Sequence, residues 1–152
     1  MPCSPGCLLS NLERGPMELE AIARHVVDCG FKIHDDLGPG LLESVYEGIL
    51  ARSLEGRGLF VERQVSISFN YGGVTYDDGF RVDILVERRL PIELKSIEAL
   101  APVHAKQLLT YLRLLELPLG LLVNFGAVSF KSGIQRMINP RVDLSELREH
   151  KN

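Results

Sequence analysis

Between Phe80 and Phe125 the chain spells two short apolar strands, a helix and a further apolar strand, in that order. Phe80 to Val86 and Leu90 to Lys95 are the strands, separated by the charged turn Glu87-Arg88-Arg89. Ala101 to Leu117 then shows helical spacing, with Leu108, Leu109, Leu112 and Leu115 apolar, and Pro118 closes it. Leu119 to Phe125 is short, apolar and bounded by turn signals, as a buried strand is. Strands joined by a tight turn run antiparallel, whereas a strand reached through a helical crossover runs parallel to a neighbour. The order therefore predicts an α/β fold with a mixed central β-sheet flanked by helices, in which Leu119 to Phe125 is the parallel member.

The flanking segments fit that plan. Leu19, Ile22, Val26, Cys29, Ile33 and Leu37 recur at helical spacing, and Gly38-Pro39-Gly40 separates this helix from a second. Leu42, Val45, Tyr46, Ile49, Leu50 and Leu54 form the second apolar stripe, which ends near Gly56 to Gly58. Val65, Ile67 and Phe69 alternate as in a half-buried strand; Asn70 to Gly73 reads as a turn and Val74 to Tyr76 as a short strand. The amphipathic stretch from Phe130 to Ile138 reads as a closing helix. Residues 1–16 are rich in turn formers and read as a disordered leader, with Met17 as an alternative start. Residues 17–139 form the expected domain and 140–152 a polar tail.

At 152 residues the chain is long enough for one domain with a sizeable core. A formal charge of -3 argues against a basic nucleic-acid coat protein but leaves a nuclease open, because a metal site adds acidic residues. No apolar run approaches the roughly 20 residues of a membrane span. The start lacks a secretion signal, so a cytoplasmic protein is expected. Three cysteines suit a reducing compartment. Cys3 and Cys7 have no second Cys/His pair to complete a zinc site.

The hairpin also carries the chemistry. Side chains alternate along a strand, so Glu93 and Lys95 point one way and Ile92 and Leu94 the other. A three-residue turn pairs Val86 with Leu90 and sets Asp83 across from Glu93; a two-residue turn shifts Asp83 opposite Leu94. Two carboxylates about 6 Å apart repel by roughly 3 kcal/mol at an effective dielectric of about 20, and sheets avoid like charges face to face. A divalent cation turns that cost into a binding site, and hard oxygens suit Mg2+ or Mn2+. From the hairpin alone, a salt bridge from Asp83 to Lys95 or Arg81 on an exposed face explains the residue equally well.

Glu43, in the first turn of the second helix, is favoured there by the helix dipole, by about 0.3–1 kcal/mol. It is also placed to serve as a third acidic ligand. Tyr46, one turn later, reads as a core residue. His104, Gln107 and Tyr111 form one polar stripe of the later helix, either lining a cleft against phosphate or base edges or simply solvated. His34, at the end of the first helix, reads as a partner of its C-terminal dipole.

Taken together, Gly40, Glu43 and Tyr46 spell the motif of the GxxExxY proteins, a group within the PD-(D/E)XK nuclease superfamily, and the chain resembles them from about Leu19 to Asn139. The likeness runs through HDDLGPGLLESVY at His34 to Tyr46, RVDILV at Arg81 to Val86, IELKS at Ile92 to Ser96, PVHAKQLLTYL at Pro102 to Leu112 and LGLLVNF at Leu119 to Phe125. Val82 stands where the superfamily carries a proline before its aspartate. The resemblance implies a restriction-endonuclease-like core and places the nuclease chemistry on Asp83, Glu93 and Lys95, with Glu43 on the preceding helix.

It further implies Mg2+- or Mn2+-dependent hydrolysis of phosphodiesters, with DNA the expected nucleic acid. Asp83, Glu93 and Glu43 are the implied metal residues, with the Leu94 carbonyl as a further oxygen. Lys95 serves the attacking water or the transition-state charge, and Gln107, Tyr111 and His104 bind substrate. The competing expectation is an inert module of the same fold that binds nucleic acid or a protein partner. The sequence also allows a homodimer.

Overall fold

The computed structural model describes residues 16–147. The expected leader, apart from Pro16, and residues 148–152 of the expected tail lie outside the described residues. Helix α1 (Leu19–Leu37) buries Leu19, Ile22, Ala23, Val26, Cys29 and Ile33, the stripe that its spacing predicts. Leu37, expected in that stripe, is exposed. The helix ends there: Gly38, at a φ of 68°, turns the chain and donates its amide to the His34 carbonyl (2.8 Å).

Helix α2 (Glu43–Gly56) turns Tyr46, Glu47, Leu50, Ala51 and Leu54 inward. Leu42 and Val45 were expected in its core face, but both are exposed, Leu42 by 74%. One contact and the start of the helix account for this. The Tyr46 ring stacks flat on Phe125 (4.5 Å between centroids, 5° between planes). Leu42 is the extended N-cap residue, outside the helix proper.

The sheet has five strands in the order β1 (Val61–Tyr71), β2 (Val74–Val86), β3 (Leu90–Lys95), β4 (Leu119–Asn124) and β5 (Ile134–Ile138). β2 runs antiparallel to β1 on one side and to β3 on the other; helix α3 (Pro102–Leu115) carries the chain across to β4, which lies parallel to β3. The expected separate strands at Val74 to Tyr76 and Phe80 to Val86 are one continuous β2. An irregularity between Ile67 and Phe69, opposite Asp78 at a φ of 52°, bends the pair instead of breaking it. Gly72 (φ 59°) and Gly73 (φ 78°) supply the left-handed two-residue turn between β1 and β2.

The closing helix expected at Phe130 to Ile138 does not form. A single turn, α4 (Phe130–Gly133), is capped by the Ser129 hydroxyl, and the rest is β5, paired antiparallel with β4 from Ile134–Val123 to Ile138–Leu119. Nine residues make a marginal helix. The open side of β4, buried throughout, offers main-chain groups that need partners.

One face of the sheet, through Ile84, Val86, Ile92, Leu94, Leu121 and Val123, packs on α1 and α2. The other face meets α3, whose Leu108 and Leu112 lie against Gly120. Among the described residues no helix is long and apolar enough to cross a membrane.

Candidate active site

Val86 pairs with Leu90 and Ile84 with Ile92, so the β2–β3 turn is the three-residue loop Glu87-Arg88-Arg89. That register sets Asp83 across from Glu93. Paired positions stop at Ile84–Ile92, and past them the Leu94 amide donates to Asp83 Oδ2 (2.9 Å). The carboxylate thus sits where the two strands part. Because Ile84, Ile92 and Leu94 face α1 and α2, alternation turns Asp83, Glu93 and Lys95 toward the α3 face. Glu93 pairs with Leu122 and Lys95 with Asn124 across the parallel ladder.

Glu93 is 6% exposed, and its Oε1 has no hydrogen-bond partner. Burial, reinforced by the Asp83 charge and more weakly by Glu43, pushes its carboxyl up to about 8; Lys95 and the Asp83 main-chain amide pull the other way. An acid held this far from water, with a free oxygen and a like charge beside it, is poised to meet a cation. Lys95 is half-buried two residues along the same face.

Tyr111 of α3 lies in the field of the same acids: burial and then the Glu93 charge raise its phenol, while a hydrogen bond from Gln107 Nε2 (2.6 Å) lowers it. Phe80 stacks on its ring at 4.3 Å. His104 caps α3, its Nδ1 accepting the Ala101 amide (3.0 Å).

The loop before Glu43 is held from both sides. Gly40 has a φ of 117°, open to glycine and strained for other residues. The buried Tyr46 hydroxyl donates to the Gly38 carbonyl and accepts the Leu41 amide (3.3 Å), while Ser96 Oγ donates to the Leu41 carbonyl (2.6 Å). Gly40 and Tyr46 therefore brace the segment that delivers Glu43. A cavity of about 590 Å³ opens beside it, lined in part by Leu41, Leu42, Ser96 and Ile97. Buried Asn124 pins the chain after Lys95: its Oδ1 accepts the Ile97 (3.1 Å) and Gly126 (3.0 Å) amides, and its Nδ2 donates to the Ile97 carbonyl (2.9 Å).

Sequence reasoning missed Glu47, Arg63 and Gln64. Glu47 is buried one turn after Glu43; Arg63 Nε (3.1 Å) and Gln64 Nε2 (2.7 Å) donate to it, and Gln64 Nε2 also reaches Asp83 Oδ1 (3.3 Å). The available signal was a charged residue between Tyr46 and Leu50, inside the apolar face of α2.

Residues 20–137, most of the chain, match the family model of the PD-(D/E)XK nuclease superfamily. The chain belongs to this superfamily. The mixed five-stranded sheet flanked by helices is its restriction-endonuclease-like α/β fold. Among solved structures, the crystal structure of SSO0001 is similar to this PD-(D/E)XK chain with a TM-score of 0.40 and 20% identity, over 89% of this chain and 75% of that one. No curated protein matches the chain.

PD-(D/E)XK nucleases generally use Mg2+ or Mn2+. Among the described residues no three His, Cys, Asp or Glu side chains are grouped to hold an ion together. The Asp83–Glu93 pair nonetheless suits a hard cation, with two acidic side chains turned to one face and the Glu93 oxygen unpartnered.

Proposed function

We propose that the chain is a GxxExxY-type nuclease that hydrolyses phosphodiester bonds with Mg2+ or Mn2+, with DNA as its substrate and the cytoplasm as its setting. The observation that carries this reading is the buried, unpartnered Glu93 oxygen beside Asp83. Asp83 and Glu93 would hold the ion, with Glu43 reaching it through water. A bound ion supplies Lewis acidity toward the phosphodiester and acidifies a water. Lys95, on the face that carries Glu93, donates to the attacking water or meets the charge that builds on the phosphate oxygens. Tyr111, fixed by Gln107 and Phe80, orients the strand. Exposed Lys106, Arg113 and Lys131 are the candidates for contacts to flanking phosphates.

Asp83→Asn and Lys95→Ala should each abolish Mn2+- or Mg2+-stimulated DNA cleavage while leaving the melting transition cooperative. Cleavage that survives in both variants refutes the assignment. The absence of a three-residue ligand group among the described residues favours a second reading, an inert module that binds nucleic acid or a protein. Calorimetric titration separates the two: the nuclease binds Mn2+ and loses that binding in Glu93→Ala, whereas the inert module shows no such affinity.

A further inference from the structure

We propose that Gln64 is a positioning residue for Asp83, anchored in turn by Glu47, so that a relay from α2 through the edge strand β1 aims one of the acidic side chains of the site. The inference rests on the reading of Asp83 as a metal-holding residue and goes beyond it by naming what orients that residue.

Glu47 is the fixed end. It is 5% exposed on the inner face of α2, and Arg63 balances its charge from one side while Gln64 takes the other oxygen. Gln64 is the link. The pairs Arg63–Ile84 and Val65–Val82 bracket it, so it stands across β1 and β2 from Asp83. Its backbone holds a left-handed φ of 50°, a conformation that non-glycine residues seldom adopt without cause. In that conformation a single amide nitrogen serves both acids, Glu47 at 2.7 Å and Asp83 at 3.3 Å.

Asp83 is the aimed group. With Oδ2 on the Leu94 amide and Oδ1 on Gln64, both of its oxygens have a set direction, and each retains a lone pair for a cation. A glutamine suits this role because its amide has two N–H groups and no charge. A lysine would cancel the Asp83 charge that attracts a cation, and a glutamate would add a third repelling acid. Glu43 lies one turn before Glu47, so the same helix segment carries one acid of the site and orients another.

The test is calorimetric Mn2+ binding to the full chain, with melting measured in parallel. Gln64→Met keeps the length of an exposed side chain but removes both hydrogen bonds. It should weaken Mn2+ binding about tenfold or more, the usual effect of losing a partner that orients a ligand, with its melting temperature little changed. Glu47→Gln should weaken binding in the same direction, and the double variant should bind no more weakly than the worse single. Should Gln64→Met lose its cooperative melt, Gln64→Asn, too short to span both acids, is judged by the same criterion. Unchanged Mn2+ affinity in the Gln64 variant, beside its loss in Asp83→Asn, overturns the relay and leaves the nuclease reading standing. Independent rather than shared effects of Glu47 and Gln64 also overturn the relay. A wild-type chain that binds no Mn2+ overturns both.

Discussion

Glu93→Gln separates the charge of this side chain from its bulk. In the folded chain the carboxyl keeps its proton up to about pH 8, against an ordinary value of 4.5. Its folded value is raised, so the unfolded chain releases the proton first, and stability falls as pH rises from 4.5 toward 8. From pH 5 to pH 8 the loss amounts to roughly 3–4 kcal/mol, and Glu93 is too deeply buried for water to screen much of it. For a domain of this size that is about 6–16 °C in melting temperature. Urea denaturation at both pH values, with EDTA present, measures it. The amide variant should lack this component, so the difference between the two chains isolates Glu93 from every other titrating group. Adding Mn2+ should reverse the trend in the wild type, because the ion binds the ionised side chain and competes with the proton. Parallel stability-versus-pH curves for wild type and Glu93→Gln would refute the reasoning.

Two substitutions test the supports of the site. Tyr46→Phe keeps the stack on Phe125 but removes the hydroxyl that ties Gly38 to Leu41; urea titration should show a loss of about 1–3 kcal/mol, with DNA cleavage reduced further as Glu43 loses its bracing, and a neutral result in both assays counts against that role. Asn124→Ala strands the Ile97 and Gly126 amides and the Ile97 carbonyl, for an expected cost of about 2–4 kcal/mol; a loss below about 1 kcal/mol would mean that the loop after Lys95 stands without it.

The register of the central hairpin was legible because Val86 and Leu90 are apolar and bracket a charged turn, leaving only the turn length open. The parallel run of β4 followed from the intervening helix, and the structure makes β3 its parallel neighbour. β5 was not legible: Phe130 to Ile138 carries a period that suits either element, and the deciding influence is the unfilled edge of β4, far away in sequence. The exposure of Leu42 and Val45 was hidden for a similar reason, since Phe125 sets the rotation of α2 through Tyr46. Asp83, Glu93, Lys95 and Glu43 stood out as charges at conspicuous places in an apolar pattern. Glu47 did not, because a glutamate on a helix ordinarily reads as solvated. Its partners, Arg63 and Gln64, lie 16 and 17 residues away on a strand whose bend no local pattern announces.

The turn Glu87-Arg88-Arg89 is a surface feature, and surface turns ordinarily absorb insertions and deletions. Here Val86 and Leu90 flank the loop and close the hairpin around it. Deleting one of the three turn residues leaves two between that pair, a length that also closes a hairpin, so Asp83 stays across from Glu93. The meeting of the acids is thus written into the strands and not into the loop: a residue lost between Leu90 and Glu93, and not one lost from the turn, is the lesion that slides the two carboxylates apart.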